Sequence, residues 1–481
     1  MRNDCVNRSA SPVKIGLEIH VELATETKIF CGCSTAFGAP VNTQVCPVCL
    51  GLPGTLPVLN RRVTEYAIAI GLVLDCDIRR TFRFDRKNYF YPDNPQNYQI
   101  SQLYTPIGTN GKLEIRTEQG IKPIRIHEIH MEEDAGKLIH SERGDTLVDY
   151  NRAGVPLVEI VTEPDMESAE EVIAFLEMLR RRIRYTGVSD CRMNEGSMRV
   201  DVNLSVRETG YGIRTEMKNL NSFKAIARAI GAERERQAGV VKSGKTVVQE
   251  TRRWDDDRGE SFSMRSKEDA KDYRYFPDPD LPEMTVEEAW IDEIRSRLPE
   301  MPEAKAERYR ETYGLPEYDI GILIDEPALA DLFETTTALG VDPKKVSNWL
   351  MGETMRLLKE RDMEPEDLRI DPRSLADLID MTDRGTINST TAKDVFEVIF
   401  DHTIDVKKYV EDHGLSMVSD FSELEEIITE IITVNPGPVA DYHAGKKKAA
   451  GFLVGQVMKK TGGKANPAMV RELLEQKLEN G

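Results

Sequence analysis

The sequence predicts an α+β protein, with a mostly antiparallel sheet packed on helices early in the chain and all-helical segments after it. Three observations predict this. Several early segments alternate strictly between apolar and charged residues, as half-buried strands do. A long amphipathic helical stripe lies between them. From Glu287 onward the strand pattern stops, and Pro299, Pro302 and Pro316 punctuate short helical stretches.

The segment KIGLEIHVEL, Lys14 to Leu23, is the clearest strand. Ile15, Leu17, Ile19, Val21 and Leu23 share one face, and Glu18, His20 and Glu22 share the other, because strand side chains repeat every two residues. Two carboxylates and an imidazole are costly to bury without a cation. That face is therefore either wet, as on an ordinary half-solvated strand, or it holds a metal.

A chain of 481 residues exceeds a single core, so two to four domains are expected. No apolar run reaches membrane-spanning length, and the first residues lack the apolar stretch of a secretory signal, so the expected compartment is the cytoplasm. A net charge of −19 excludes nucleic-acid binding by bulk attraction and leaves only local basic patches for it.

Cys31, Cys33, Cys46 and Cys49 fall within one short Gly- and Pro-containing stretch. Two thiolate pairs on tight turns suit a structural zinc ion, and four thiolates would leave no open coordination position. The alternative is a set of reduced cysteines. A helix follows over Arg62 to Leu74. Residues 81 to 102 then bring Arg83, Arg86 and Lys87 beside Tyr89, Phe90 and Tyr91, which reads either as an aromatic packing loop or as a phosphate- and base-binding one. Residues 122 to 137 start as a strand and end in an acidic turn, where Glu132, Glu133 and Asp134 follow His127 and His130 as candidate magnesium ligands. Val155 to Glu163 is an apolar strand with Glu159 and Glu163 embedded, and embedded carboxylates need a partner.

The helix from Ser168 to Gly187 opens on a capping-box pattern, Ser168 to Glu171, and closes on glycine. Met198 to Arg207 and Tyr211 to Lys218 repeat the opening alternation. Their polar faces carry Asp201 and Asn203, then Arg214, Glu216 and Lys218. Acids on such a face suit Mg²⁺, which takes oxygen ligands and arrives with nucleotide phosphates; Arg and Lys among them suit the phosphates themselves. A further helix spans Asn219 to Gln237. Residues 249 to 261 and 264 to 282 read as polar loops.

These boundaries divide the chain into residues 1–295, 296–405 and 406–481. In the last part, Lys446 to Lys477 holds eight Lys or Arg against two acids, an excess of +6 on an acidic protein. Lys446, Lys447, Lys448, Lys459, Lys460 and Lys464 are thus candidate phosphate-contacting residues, with a solvated helix pair as the plainer reading.

Ten motifs in order, GLEIHVEL, CPVCLGLPG, FDRKNYFYPDNP, HMEEDAGK, VPLVEIVTEPD, KNLNSF, QETRRWD, DYRYFPDPDLP, SNWLMG and GFLVGQVMKK, resemble the B-subunit family of the aspartyl/glutamyl-tRNA(Asn/Gln) amidotransferases over nearly the whole chain. The resemblance implies an N-terminal cradle related to the glutamine synthetase fold that uses ATP and Mg²⁺ to phosphorylate the side-chain carboxylate of Asp or Glu misattached to tRNA. It implies an amidase A subunit that supplies ammonia, a small C subunit, and a helical domain and YqeY-like tail that contact the tRNA. It assigns Glu18, His20, Glu133, Glu159, Asp201 and Glu216 to the catalytic centre, with Glu18, His20, Glu133 and Glu159 on magnesium. Asn203, with Arg214 and Lys218, falls on the nucleotide. No glutaminase constellation is visible in this chain, so ammonia is expected from another polypeptide. A free-standing ligase for a small carboxylic acid and a non-catalytic zinc-containing tRNA-binding protein are the competing readings.

Overall fold

The structure, a computed structural model, describes residues 12–141, 144–206, 212–266, 272–417, 421–462, 465 and 467–480. It divides into two compact units, Met1–Met301 and Pro302–Gly481.

The strands of the first unit are β1 (Val13–Glu22), β2 (Asp77–Ile78), β3 (Thr81–Phe82), β4 (Asp85–Asn88), β5 (Tyr98–Ser101), β6 (Gly108–Thr117), β7 (Gly120–Glu133), β8 (Lys137–His140), β9 (Thr146–Asp149), β10 (Pro156–Thr162), β11 (Met198–Val206), β12 (Thr215–Lys218), β13 (Glu250–Asp255), β14 (Glu260–Ser266), β15 (Phe276–Pro277) and β16 (Met284–Thr285). Nine of them form one sheet in the order β14-β13-β12-β11-β1-β10-β7-β6-β2. Among the described residues, only the β12–β13 pair in it is parallel. The opening segment thus sits at the centre of the sheet. Its apolar residues Ile15, Leu17, Ile19, Val21 and Leu23 are at most 1% exposed. They pack in one core with α1 (Arg61–Val73), α2 (Ala169–Thr186) and α3 (Phe223–Lys242). Helix α4 (Glu288–Arg297) joins that core through Ile291 and Ile294.

The helix ends follow local chemistry. Ser168 Oγ accepts from the Glu171 amide, and Gly187 closes α2 at φ 71°, a conformation that costs a glycine nothing. The capping box is only half formed, because Glu171 accepts from the Glu167 amide and from Lys122 instead of returning to Ser168. Ser222 caps α3 in the same way as Ser168 caps α2.

The two segments read as polar loops are largely strands. Residues 249 to 261 contribute β13 and 264 to 282 contribute the end of β14, with β15 after residues 267–271, which lie outside the described set. Their charge is consumed internally: Arg252 pairs with Glu250 at 2.6 Å, and Trp254 is buried. The strand expected over Tyr211 to Lys218 is described only from Thr215, Tyr211 lying outside the described residues.

Strands β11 and β12 share just three residue pairs, Val202 with Met217, Asn203 with Glu216, and Leu204 with Thr215. Beyond them the fully buried Gln237 of α3 substitutes for a neighbouring strand. Its Oε1 accepts from the Val206 amide at 2.9 Å, and its Nε2 donates to Leu204 O at 3.2 Å and to Thr215 Oγ1 at 3.1 Å. Replacing Gln237 by Leu removes the partner of the Val206 amide and leaves Thr215 Oγ1 only its contact with Arg236 at 3.5 Å, so a loss of about 2 kcal/mol is expected in urea unfolding. A loss below about 0.5 kcal/mol, the level of an ordinary surface change, would show that the clamp is dispensable.

The second unit is helical. One core gathers residues from Tyr309 to Val410 and another gathers residues from Leu424 to Leu478. The expected helix over 342 to 358 is present as Pro343–Trp349 and Met355–Glu360, joined by one π-helical turn at Leu350–Thr354.

Candidate active site

The sheet face opposite the helices gathers the polar side chains of the central strands. Register does this directly: Glu18 lies opposite Asp201, His20 lies between Arg199 and Glu159, and Glu159 lies opposite His130. Paired residues in a ladder share a face. Two groups of candidate ligands result.

The first is Glu18, Asp201 and Glu216, with one oxygen from each lying within 4.8 Å of the others. Asn203 donates to Glu18 at 3.0 Å, and Thr251 donates to Glu216 at 2.7 Å, so two of the three carboxylates are oriented by neutral groups. Lys218 Nζ sits 2.9 Å from Glu216 and in contact with Asp201. Burial pushes the Glu18 carboxyl up, and the nearby charges of Glu159 and Glu216 push it further. Three acids sharing one lysine carry net negative charge, and a hard cation relieves it.

The second group is His20, Glu132 and Glu159, also within 4.8 Å. His20 Nε2 stands 3.4 Å from both carboxylates. His130 Nε2 lies 2.9 Å from Glu159, and Ser101 donates to Glu132 at 3.2 Å. Burial alone would raise the Glu159 carboxyl, but the His130 and His20 rings hold it well below the usual range. The same attraction outweighs burial at His130 and pushes it up to about 10, with Glu159 the larger influence and Glu132 the next. Octahedral magnesium at about 2.1 Å places ligand atoms roughly 3 to 4 Å apart, so both groups fit a metal in spacing and in donor type.

The residues expected at the site are mostly brought together. Glu18, Asp201 and Glu216 form one group with Asn203 and Lys218 beside it, and His20 and Glu159 form the other. Glu133 joins neither. Strand β7 runs through to Glu133, so Glu132 and Glu133 point to opposite faces. Glu133 instead accepts from Gln96 at 2.7 Å and from the Ile100 amide at 2.9 Å. There it lines a cavity of about 160 Å³ with Lys28, Cys31 and Cys49. Burial pushes its carboxyl up to about 8. The expected set of Glu18, His20, Glu133 and Glu159 is thus not brought together: Glu132 stands beside His20 and Glu159 where Glu133 was expected, and Glu18 lies in the other group. Counting alternation from His130 would have found Glu132. Arg214 is exposed just before β12 and on the same parity as Glu216. Glu163 keeps the parity of Glu159 but lies just beyond the end of β10, where it meets His127, the residue that β7 bulges out, at 2.9 Å instead of either acid group. Arg86 is held by Asp278 and Asp280 at 2.7 Å each, a structural role. Lys87, beside it, lies over the Tyr273 ring and in the field of the second group, whose Glu132 and Glu159 charges outweigh burial and raise it.

Cys31, Cys33, Cys46 and Cys49 converge with all four sulfurs within 4.8 Å. Cys46 Sγ and Cys49 Sγ are 4.0 Å apart, near the roughly 3.8 Å edge of a tetrahedron built on 2.3 Å zinc–sulfur bonds. The buried Lys28 ammonium lies 3.6 Å from Cys49 Sγ. Hydrogen bonding from Cys31 draws the Cys49 thiol down to about 5, and Lys28 contributes to this. A thiolate already favoured in a four-sulfur cage fits a zinc site, with Lys28 offsetting the charge of four thiolates.

In the second unit, Lys448–Lys460 forms a helix with Lys446 and Lys447 before it and Lys459 and Lys460 at its end. Lys446 pairs with Asp441, and Lys460 with Glu430. Lys447, Lys448 and Lys459 are exposed. Lysines at a helix start oppose the dipole, and an anion placed there would be favoured. Lys464 lies outside the described residues.

A nine-stranded sheet with two groups of acids on its open face, each spaced as ligands of a divalent cation could be, is the architecture of an enzyme. Residues 13–292 match the family model described as the GatB/GatE catalytic domain, and residues 331–478 match the one described as the GatB domain. The chain is 62% identical over 464 residues to the B subunit of aspartyl/glutamyl-tRNA(Asn/Gln) amidotransferase from Agathobacter rectalis, covering 96% of this chain and 98% of that one. The proteins of the same name from Lachnoclostridium phytofermentans and Lachnospira eligens are 59% and 57% identical, each covering at least 96% of this chain and 98% of their own length. The chain belongs to the GatB family, the B subunits of aspartyl/glutamyl-tRNA(Asn/Gln) amidotransferase. Among the described residues, no helix is long and apolar enough to cross a membrane.

Proposed function

We propose that this chain is the ATP-using subunit of a glutamine-dependent ligase acting on Asp-tRNA(Asn), Glu-tRNA(Gln) or both. The γ-phosphoryl group of ATP passes to the side-chain carboxylate, giving an acyl phosphate and ADP. Ammonia then attacks the acyl carbon and expels phosphate, leaving the amide. Activation is needed because oxide is a poor leaving group, and phosphoryl transfer asks mainly for positioning and charge neutralisation. The observation that carries this reading is the convergence of Glu18, Asp201 and Glu216 beside His20, Glu132 and Glu159 on one open sheet face. Those acids would hold Mg²⁺, whose charge would offset that of the phosphates. Asn203 and Thr251 fix the carboxylate orientations, while Lys218, Lys87 and Arg214 supply cations to the same face.

In this reading residues 1–295 are the catalytic cradle, related to the glutamine synthetase fold and carrying a structural zinc ion on Cys31, Cys33, Cys46 and Cys49. Residues 296–405 are a helical domain, and 406–481 a YqeY-like tail whose lysines contact tRNA phosphates. Ammonia comes from an amidase A subunit, with a small C subunit completing a cytoplasmic heterotrimer.

The test is ATP consumption by the purified three-subunit complex. ADP release triggered by a misacylated tRNA and not by free Asp or Glu is the expected result. Turnover with free glutamate would make the chain a small-acid ligase, and tRNA binding with no turnover would make it a binding protein. Deleting residues 406–481 should weaken tRNA binding and make the fall of log K with log salt shallower, by roughly 1 for each phosphate that the tail neutralises. Unchanged affinity and slope would remove the tail from the interface.

A further inference from the structure

Glu22 is the one acid of the β1 polar face that neither group of candidate ligands uses. It is half-buried, and among the described residues its carboxylate has no hydrogen-bond or ion-pair partner. The charged groups that act on it most are Asp134, Arg199, Asp190 and Arg152. All four are occupied. Asp134 is held by Arg199, by Arg152 at 3.3 Å and by the Ala135 amide at 2.8 Å. Asp190 is held by Ser197 and by Arg192 at 3.8 Å. Both arginines engage Asp134, Arg199 through Nη2 while its buried Nε has no hydrogen-bond partner, and neither forms an ion pair with Glu22, whose carboxylate is left over. A half-buried carboxylate in that setting is a receptor for a cation.

Position narrows which cation. Glu22 lies two residues beyond His20 on one strand, about 7 Å along the same face. It is opposite Leu157, whose other neighbour in the row is Glu132. Glu22 therefore borders the group of His20, Glu132 and Glu159 from outside. The proposed substrate class is an aspartyl or glutamyl ester. It presents a carboxylate and an α-ammonium separated by three or four bonds of about 1.5 Å, hence by roughly 4 to 5 Å in space. With the carboxylate at the reaction centre, the α-ammonium falls within reach of Glu22.

We propose that Glu22 binds the substrate's α-ammonium group and so selects aminoacyl-tRNA with a free amine over N-blocked esters. This rests on the function proposed above. Arg199 and Arg152 act as positioning residues, because they engage Asp134 and keep Glu22 free.

The test is a two-by-two comparison in the complete complex, with wild type and Glu22→Gln each given misacylated tRNA with a free or an N-acetylated amine, and ADP release as readout. For wild type, kcat/KM should fall tenfold or more on acetylation, the worth of one charge-assisted hydrogen bond. Glu22→Gln should lose a similar factor on the free-amine substrate, mainly through KM, and nothing further on the acetylated one. A wild-type enzyme indifferent to acetylation overturns the proposal without any variant. So does a Glu22→Gln enzyme that keeps the wild-type ratio, which is what a merely structural defect would give. If no misacylated tRNA triggers ADP release from wild type, the broader reading has failed, and this proposal with it.

Discussion

Glu159→Gln is expected to lower acyl-phosphate formation by at least about 10³-fold, roughly 4 kcal/mol of transition-state stabilisation. The substitution keeps the side-chain shape and removes the charge. That charge holds His130 at 2.9 Å and His20 at 3.4 Å, and it supplies one of the three ligand atoms in its group. Without it a metal keeps two ligands, and a buried imidazolium loses its main partner. The measurement is ADP release with misacylated tRNA in the absence of glutamine, together with Mg²⁺ or Mn²⁺ affinity by calorimetry. The paired control separates neighbouring residues. Glu132→Gln should weaken metal binding, and Glu133→Gln should leave it unchanged, because Glu133 faces Gln96 and the Ile100 amide instead. The reverse pattern would mean that the acid groups on the open face are not the metal site.

The Glu132 and Glu133 pair also shows where sequence reading stops. Alternation alone puts Glu18, His20, Asp201, Asn203 and Glu216 on one face, because β1 and β11 are regular and central. It fails at 132–134, where three consecutive acids look like a solvated turn. The strand continues through Glu133, and the parity set by His130 decides which acid turns inward. Strands β13 and β14 are hidden for a related reason. Arg252 pairs with Glu250 along β13 and with Glu233 of α3, so a locally polar sequence packs as a strand. The roles of Gln237 and Thr251 are not legible at all, since neither carries a motif and both act across elements distant in sequence. Lys87 is visible only as one cation among several; the fold gives it acidic neighbours and gives Arg86 to Asp278.

Cys46→Ser, or prolonged chelation, is expected to destabilise the first unit by at least about 3 kcal/mol, the chain entropy of cross-linking a 19-residue segment. The segment from Cys31 to Cys49 contains no helix or named strand, so its path is fixed by the cage and by local hydrogen bonds. Among those bonds, Asn42 donates to Val148 O at 3.0 Å, and the Gln44 amide donates to Asn151 at 2.8 Å. Both anchor the middle of the segment, away from the turns that carry the cysteines. The expected signature is a thermal midpoint lowered by roughly 5 °C, by the usual entropy scaling for a unit of this size. New protease cleavage should appear within residues 31–58. Wall and centre are separable, because the cage lies beside Glu133 and the acid groups lie on the opposite face of β7. Material still folded at low temperature should therefore keep its Mg²⁺ affinity. A variant that loses zinc yet keeps the wild-type midpoint and protease resistance would show that the cage does not hold the fold.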